Sequence, residues 1–173
     1  MKEFIKDIII ALLIVAAITF VIKPTIVKEH SMEPTLQENN YLIVNKQAYR
    51  FKDHPGHGDI IVFRSDMDKT DGTGKKLLIK RVIGVEGDTI TIQDGNVYRN
   101  GEQLDEPYVN GQPTMTGEPI TDLKVGDDEL FLMGDNRGVS MDSRSPDVGL
   151  VKESKVVGKA FVRLYPFDEI TRL

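Results

Sequence analysis

The chain opens on one apolar block and then changes character. Ile8 to Ile22 carry no charge and are bracketed by Lys6 and Asp7 before and Lys23 after. A spanning helix wants ~20 apolar residues, whereas ~10–14 suits a signal-peptide core or a buried helix. Phe4 and Ile5 before the run and Pro24 to Val27 after it, with snorkelling lysines, lengthen it enough to span. A cleavable signal peptide is the rival reading, but Lys23, Pro24 and Thr25 stand where an Ala-x-Ala site would follow. The pattern therefore predicts a retained anchor over residues 1–28, crossing a lipid bilayer at about 5–22. Charge bias does not orient it, because Lys2 and Lys6 on one side are matched by Lys23 and Lys28 on the other.

Beyond the anchor, short runs of Val, Ile, Leu and Tyr alternate with clusters of Gly, Pro, Asp and Asn, a β pattern. The predicted strands are Tyr41 to Asn45, Asp59 to Phe63, Leu77 to Ile83, Thr89 to Gln93, Asn96 to Arg99, Glu129 to Met133 and Val156 to Leu164. Asp94-Gly95 between two alternating runs predicts a hairpin with a type I′ turn. Asn100 to Lys124 has little periodicity and reads as a long connection or small lobe. The expected fold class is mostly β: an antiparallel, barrel-like domain at 29–173 with a small β insertion at about 95–128, preceded by one transmembrane helix.

Composition narrows the chemistry. At 173 residues there is room for one main domain. A net charge of −5 with mixed signs offers no basic stripe for phosphates, so nucleic acid is not an expected partner. Cysteine is absent, which excludes disulfides, thiolate metal sites and a cysteine nucleophile. Covalent catalysis would have to use oxygen or nitrogen.

Three segments carry candidate chemistry. Ser31-Met32-Glu33-Pro34-Thr35-Leu36 follows the anchor closely; on its own a serine before Glu-Pro equally serves a turn or a helix cap. In Leu77-Leu78-Ile79-Lys80-Arg81-Val82-Ile83-Gly84 a lysine sits mid-strand, sharing a face with Leu78 and Val82 while Arg81 points with Ile79 and Ile83. Burial of Lys80 would lower its pKa and supply a free amine as general base, a role closed to arginine; a half-exposed strand with snorkelling cations is the bland alternative. Gly134-Asp135-Asn136-Arg137-Gly138-Val139-Ser140-Met141-Asp142-Ser143-Arg144 packs paired Asp and Arg into a turn-rich stretch, either a hydrogen-bonded scaffold or a surface loop.

In this order and behind an anchor, these segments, with Gly58-Asp59-Ile60-Ile61-Val62-Phe63 between the first two, resemble the bacterial type I signal peptidase family. The resemblance implies that Ser31 is the nucleophile and Lys80 the general base and later acid. It implies that Ser140 orients the Lys80 amine, that Asp142 with Arg144 braces the site, and that Met32 lies beside the nucleophile. It also implies substrate bound as an added β-strand, with Val27, Leu36 and Ile79 lining shallow pockets for small side chains. No cofactor and no metal are implied. Secretory preproteins would be the substrates, and the location a cell membrane with the catalytic domain extracytoplasmic.

The other candidate groups argue less. His30 should point away from Ser31 by alternation, and His54 and His57 flank a Pro-Gly turn, where a metal pair would lack further ligands. Asp66, Asp68 and Asp71 faintly echo a calcium loop but lack its glycine and closing glutamate. Glu29 stands two residues before Ser31, where some family members carry a hydroxyl as second oxyanion donor; a carboxylate cannot donate there. Two rival functions remain. A self-cleaving repressor-type Ser/Lys peptidase would want a DNA-binding domain or a scissile linker in place of the anchor. The other is an inactive membrane-tethered β module that binds partners.

Overall fold

The computed structural model describes residues 1–50, 53–69 and 71–173, and its first element is helix α1, Lys2–Val21. At 1.5 Å per residue the helix is about 30 Å long, the thickness of a bilayer's hydrocarbon core. It is apolar enough to cross a membrane, and none of its side chains is buried by the rest of the chain. An apolar cylinder left uncovered by its own protein is stable only in lipid or against another apolar surface.

The helix stops one residue short of the apolar run. Ile22 is already extended and opens strand β1, Ile22–Ile26, so the stretch expected to prolong the span belongs to the sheet instead. Its end is held from the sheet side. Lys46 Nζ donates to Thr19 O at 2.7 Å, Gln47 Nε2 to Phe20 O at 2.8 Å, and the Lys46 amide to Val21 O at 2.8 Å. These bonds satisfy carbonyls that a helix C-terminus leaves without partners, and the ammonium complements the helix dipole. Anchor and folded part are therefore joined directly rather than by a slack linker.

The remaining strands are β2 (Tyr41–Asn45), β3 (Ile60–Asp68), β4 (Lys75–Gly84), β5 (Thr89–Gln93), β6 (Asn96–Arg99), β7 (Glu102–Gln103), β8 (Ile120–Lys124), β9 (Glu129–Met133), β10 (Val151–Lys152), β11 (Val156–Tyr165) and β12 (Thr171–Arg172). The main sheet runs β1-β2-β11-β3-β4-β9-β10, with β12 also paired to β11; the small sheet runs β7-β6-β5-β8. All pairings are antiparallel. The small lobe starts earlier than the sequence pattern indicated, because Thr89–Gln93 pairs within it. Strand β8 escaped notice since Ile120-Thr-Asp-Leu-Lys is nowhere fully buried and so carries little apolar signal.

Alternation along the central strands builds three packed layers. Ile61 and Phe63 of β3, Leu78 and Val82 of β4 and Leu130 and Leu132 of β9 fill one face. Ile83, Phe131 and Met133, from the opposite parity, meet Ile90, Ile92 and Val97 of the small sheet. On the far side, Val27, Met32 and Leu36 pack with Leu42, Ile60 and Ala160, and Ile79 of β4 packs against them. Val27 follows β1, four places from β4 in strand order, so the sheet curls until its first edge faces β4. This partial closure creates the site. The predicted turn also forms: Asp94 and Gly95 have φ of 52° and 79°, the paired left-handed residues of a type I′ hairpin.

Candidate active site

Ser31 lies in a single 3₁₀ turn, His30–Met32, that follows β1 and turns the chain back under the curled sheet. Met32 and Leu36 are buried beneath it, and the Leu36 amide donates to Met32 O at 2.8 Å. The apolar anchors within and after the turn therefore fix where the hydroxyl sits. The Asn136 amide donates to Ser31 O at 3.1 Å and Asn136 Nδ2 to His30 O at 3.2 Å, clamping the turn from the third segment.

Lys80 is 1% exposed at the centre of β4. Its Nζ donates to Ser31 Oγ at 2.7 Å and to Ile79 O at 3.1 Å. Burial strips water from the ammonium and pushes its pKa down from 10.5 to about 8. Asp142 and Glu29 oppose that fall, Lys76 assists it, and Asp135 opposes it weakly. Local sequence shows no carboxylate beside Lys80; the fold supplies three.

The third segment surrounds this pair. Asp142 is fully buried, takes Arg144 Nε and Nη2 at 2.9 Å each, and accepts the Gly134 amide at 3.0 Å. Arg144 also donates to Arg137 O at 2.8 Å and Met115 O at 2.8 Å. Gly134 is the point of closest approach: a Cβ there would stand 2.2 Å from Ser140 Oγ and 2.3 Å from Ser31 O. Ser140 is thus packed against the site, but its hydroxyl, buried, has no hydrogen-bond partner among the described residues and makes no bond to Lys80.

A groove of about 590 Å³ opens beside Ser31 between the β1 side, through Val27 and Glu29, and the first half of β4, Lys76 to Ile79. Val27, Met32 and Ile79 are among its lining residues. Leu36 does not line it: the residue lies in the apolar layer below, with no exposed surface. Thr25 lines the groove as well, and its hydroxyl is buried without a partner among the described residues.

Some contributors had no signal of their own. Arg81 grips Asp135 with Nε at 2.8 Å and Nη2 at 2.6 Å, and its guanidinium lies 4.0 Å from the Tyr108 ring centre. Arg137 holds Glu106 and donates to Thr114 at 2.6 Å, tying the small lobe to the site. Only the density of Asp and Arg after Met133 hinted at such a scaffold. The histidines stand apart from the serine–lysine pair: His30 Nδ1 meets Glu33 at 2.7 Å, His54 meets Glu153 at 2.8 Å and His57 meets Asp88 at 2.6 Å. In the acidic loop Asp66 pairs with Lys155 and Asp68 with Lys75, both at the surface.

A hydroxyl in contact with a buried amine of lowered pKa, with the imidazoles occupied elsewhere, is the equipment of a serine hydrolase that uses lysine in place of histidine. The sequence matches the family described as "Signal peptidase, peptidase S26" over residues 1–165. It is 41% identical over 156 residues to a "Probable signal peptidase I-2" of Synechocystis sp., covering 88% of this chain and 67% of that protein. It is 36% identical over 177 residues to "Signal peptidase I P" of Bacillus subtilis subsp. natto, covering 97% and 91% respectively. A crystal structure of a signal peptidase I from Enterococcus faecalis is 28% identical, with a TM-score of 0.49, over 62% of this chain and 97% of that one. The chain belongs to the type I signal peptidase family, and as such is a membrane-anchored serine endopeptidase.

Proposed function

We propose that Ser31 and Lys80 cut the signal peptide from exported preproteins, Ser31 as nucleophile and Lys80 as general base, then acid. The observation that carries this is the 2.7 Å contact between Lys80 Nζ and Ser31 Oγ inside a water-poor site. With Lys80 neutral, its lone pair takes the hydroxyl proton as Oγ attacks the scissile carbonyl. The oxyanion forms within reach of the Ser31 backbone N–H. On collapse the Lys80 ammonium returns its proton to the leaving amine, and an acyl-serine remains. Water, deprotonated by Lys80, then attacks the ester, and on collapse Lys80 returns that proton to Ser31 Oγ as the signal peptide's new carboxyl group is freed.

Ser140 is proposed to take one amine N–H and so aim the lone pair; its buried, unpartnered hydroxyl supports that role. Asp142 and Arg144 hold the backbone on which Ser140 stands. The substrate's main chain would enter as an added strand, since β1 is an edge of the sheet and β4 pairs with β9 only from Arg81 to Gly84, leaving Lys76 to Lys80 open on that side. Small side chains suit a shallow groove with Val27, Met32 and Ile79 as its apolar walls. We place Met1 to Lys6 in the cytoplasm and the sheets outside it, where a signal peptide's cleavage site emerges from the bilayer.

Incubating the detergent-solubilised protein with a preprotein tests the assignment. Ser31→Ala and Lys80→Ala should each abolish processing while circular dichroism stays native, and Lys80→Arg should fail too because its base form is inaccessible. Near-normal cleavage by any of the three would refute the dyad. Protease added to intact spheroplasts should digest the sheet domain; full protection would refute the topology.

A further inference from the structure

Two walls of the groove that share no backbone ladder are joined by one ion pair. Glu29, at the end of the β1 side, meets Lys76 of β4, both side chains 43% exposed, and both residues line the groove. Among the described residues no other ion pair links 22–32 with 69–79. We propose that Glu29 and Lys76 form a charge-balanced strap beside the reacting atoms, in which Lys76 is a positioning residue that holds the Glu29 carboxylate off the carbonyl under attack and offsets its pull on the Lys80 proton. The inference rests on the dyad reading given above.

The need for such a strap follows from where Glu29 stands. A carboxylate two residues before the nucleophile can only accept hydrogen bonds, and facing a developing oxyanion it would repel it. It would also favour the protonated, inactive form of Lys80. The other charges around Lys80 are already committed. Asp142 is locked by Arg144 and Asp135 by Arg81, both pairs well buried, and His30 on the serine turn faces Glu33 and Glu38. Glu29 alone has a half-exposed lysine for its partner, and the two act in opposite senses on Lys80. A half-exposed ion pair is adaptable enough to shift along the wall as a substrate strand enters, with the carboxylate still held by the lysine. Lys76 also belongs to the stretch of β4 left open for that strand, so the cation can follow the carboxylate without breaking the sheet.

The test is initial cleavage rate against pH, at fixed detergent and salt, for the full chain acting on a peptide that spans a signal cleavage site. Lys76→Met should move the acidic limb to higher pH, and Glu29→Gln to lower pH, each by roughly 0.3–0.8 unit for a charge partly screened by solvent. Lys76→Met should also lower kcat several-fold at a pH where the wild-type amine is neutral, with KM little changed. The double exchange Glu29→Lys with Lys76→Glu restores a balanced pair and should bring the limb back towards wild type. A purely structural bridge would leave the limb in place and act through stability alone. Unmoved limbs, or both single variants shifting the same way, overturn the strap while leaving the dyad intact. A wild-type profile with no acidic limb overturns the dyad, and the strap with it.

Discussion

Lys80 should reduce the stability of this protein at neutral pH, and Lys80→Met should expose the cost. The group titrates at about 8 in the folded chain and at 10.5 in an unfolded one. Between those values the unfolded chain holds the extra proton, so wild-type stability rises with pH across the window. Below about pH 8 the whole penalty is present, about 3 kcal/mol from the gap between the two values. Methionine has similar length, packs into irregular apolar space and carries no charge. It forfeits the bonds to Ser31 Oγ and Ile79 O, each worth about 1 kcal/mol. Lys80→Met should therefore be more stable than wild type by about 1 kcal/mol at pH 7, and less stable by about 2 kcal/mol near pH 10.5, where the wild-type amine is neutral and still bonded. The chain has no tryptophan, so urea unfolding in detergent is best followed by circular dichroism, both proteins side by side at each pH. Other titrations are common to the two proteins and drop out of the difference. A difference constant within about 0.5 kcal/mol from pH 7 to 10.5, with equal denaturant slopes, would refute the reasoning.

Three further outcomes follow from the same geometry. Gly134→Ala should abolish cleavage and lower the melting temperature, because the new methyl must displace Ser140 or the Ser31 carbonyl; unchanged activity in a peptide assay would contradict the packing. Asp142→Ala should destabilise by about 3–5 kcal/mol, since it strands a buried guanidinium and the Gly134 amide, and urea midpoints measure it. Wild-type cleavage should rise with pH through about 8, where Lys80 loses its proton, and a rate flat from weakly acidic to alkaline pH would exclude a titrating lysine base.

Much of the fold was legible in the chain because its causes are local. Alternation at Thr89 to Gln93 and short apolar runs at Tyr41 to Asn45 and Glu129 to Met133 mark strands, and those bounds match the structure. Asp94-Gly95 is a turn by backbone sterics alone, and an apolar run without charge is helical in lipid because its backbone must bond to itself. The helix ends one residue from the predicted limit of the span, but strand β1 was not legible, since Ile22-Lys23-Pro24-Thr25-Ile26 lacks a strand pattern and is extended because β2 is there to pair with it. The chemistry divides in the same way. Ser31, Lys80 and the Asp142–Arg144 stretch stand out as residue types in a suggestive order. Their meeting depends on a sheet that curls until Val27 and Ser31 face β4, a contact across nearly fifty residues that no local pattern records. The same closure decides which of two adjacent cations is buried and lowered in pKa, and which, Arg81, is spent on Asp135. It also sinks Leu36 below the groove and sets Lys76 opposite Glu29, because pocket walls and ion pairs are made by distance in space, which the order of residues does not fix.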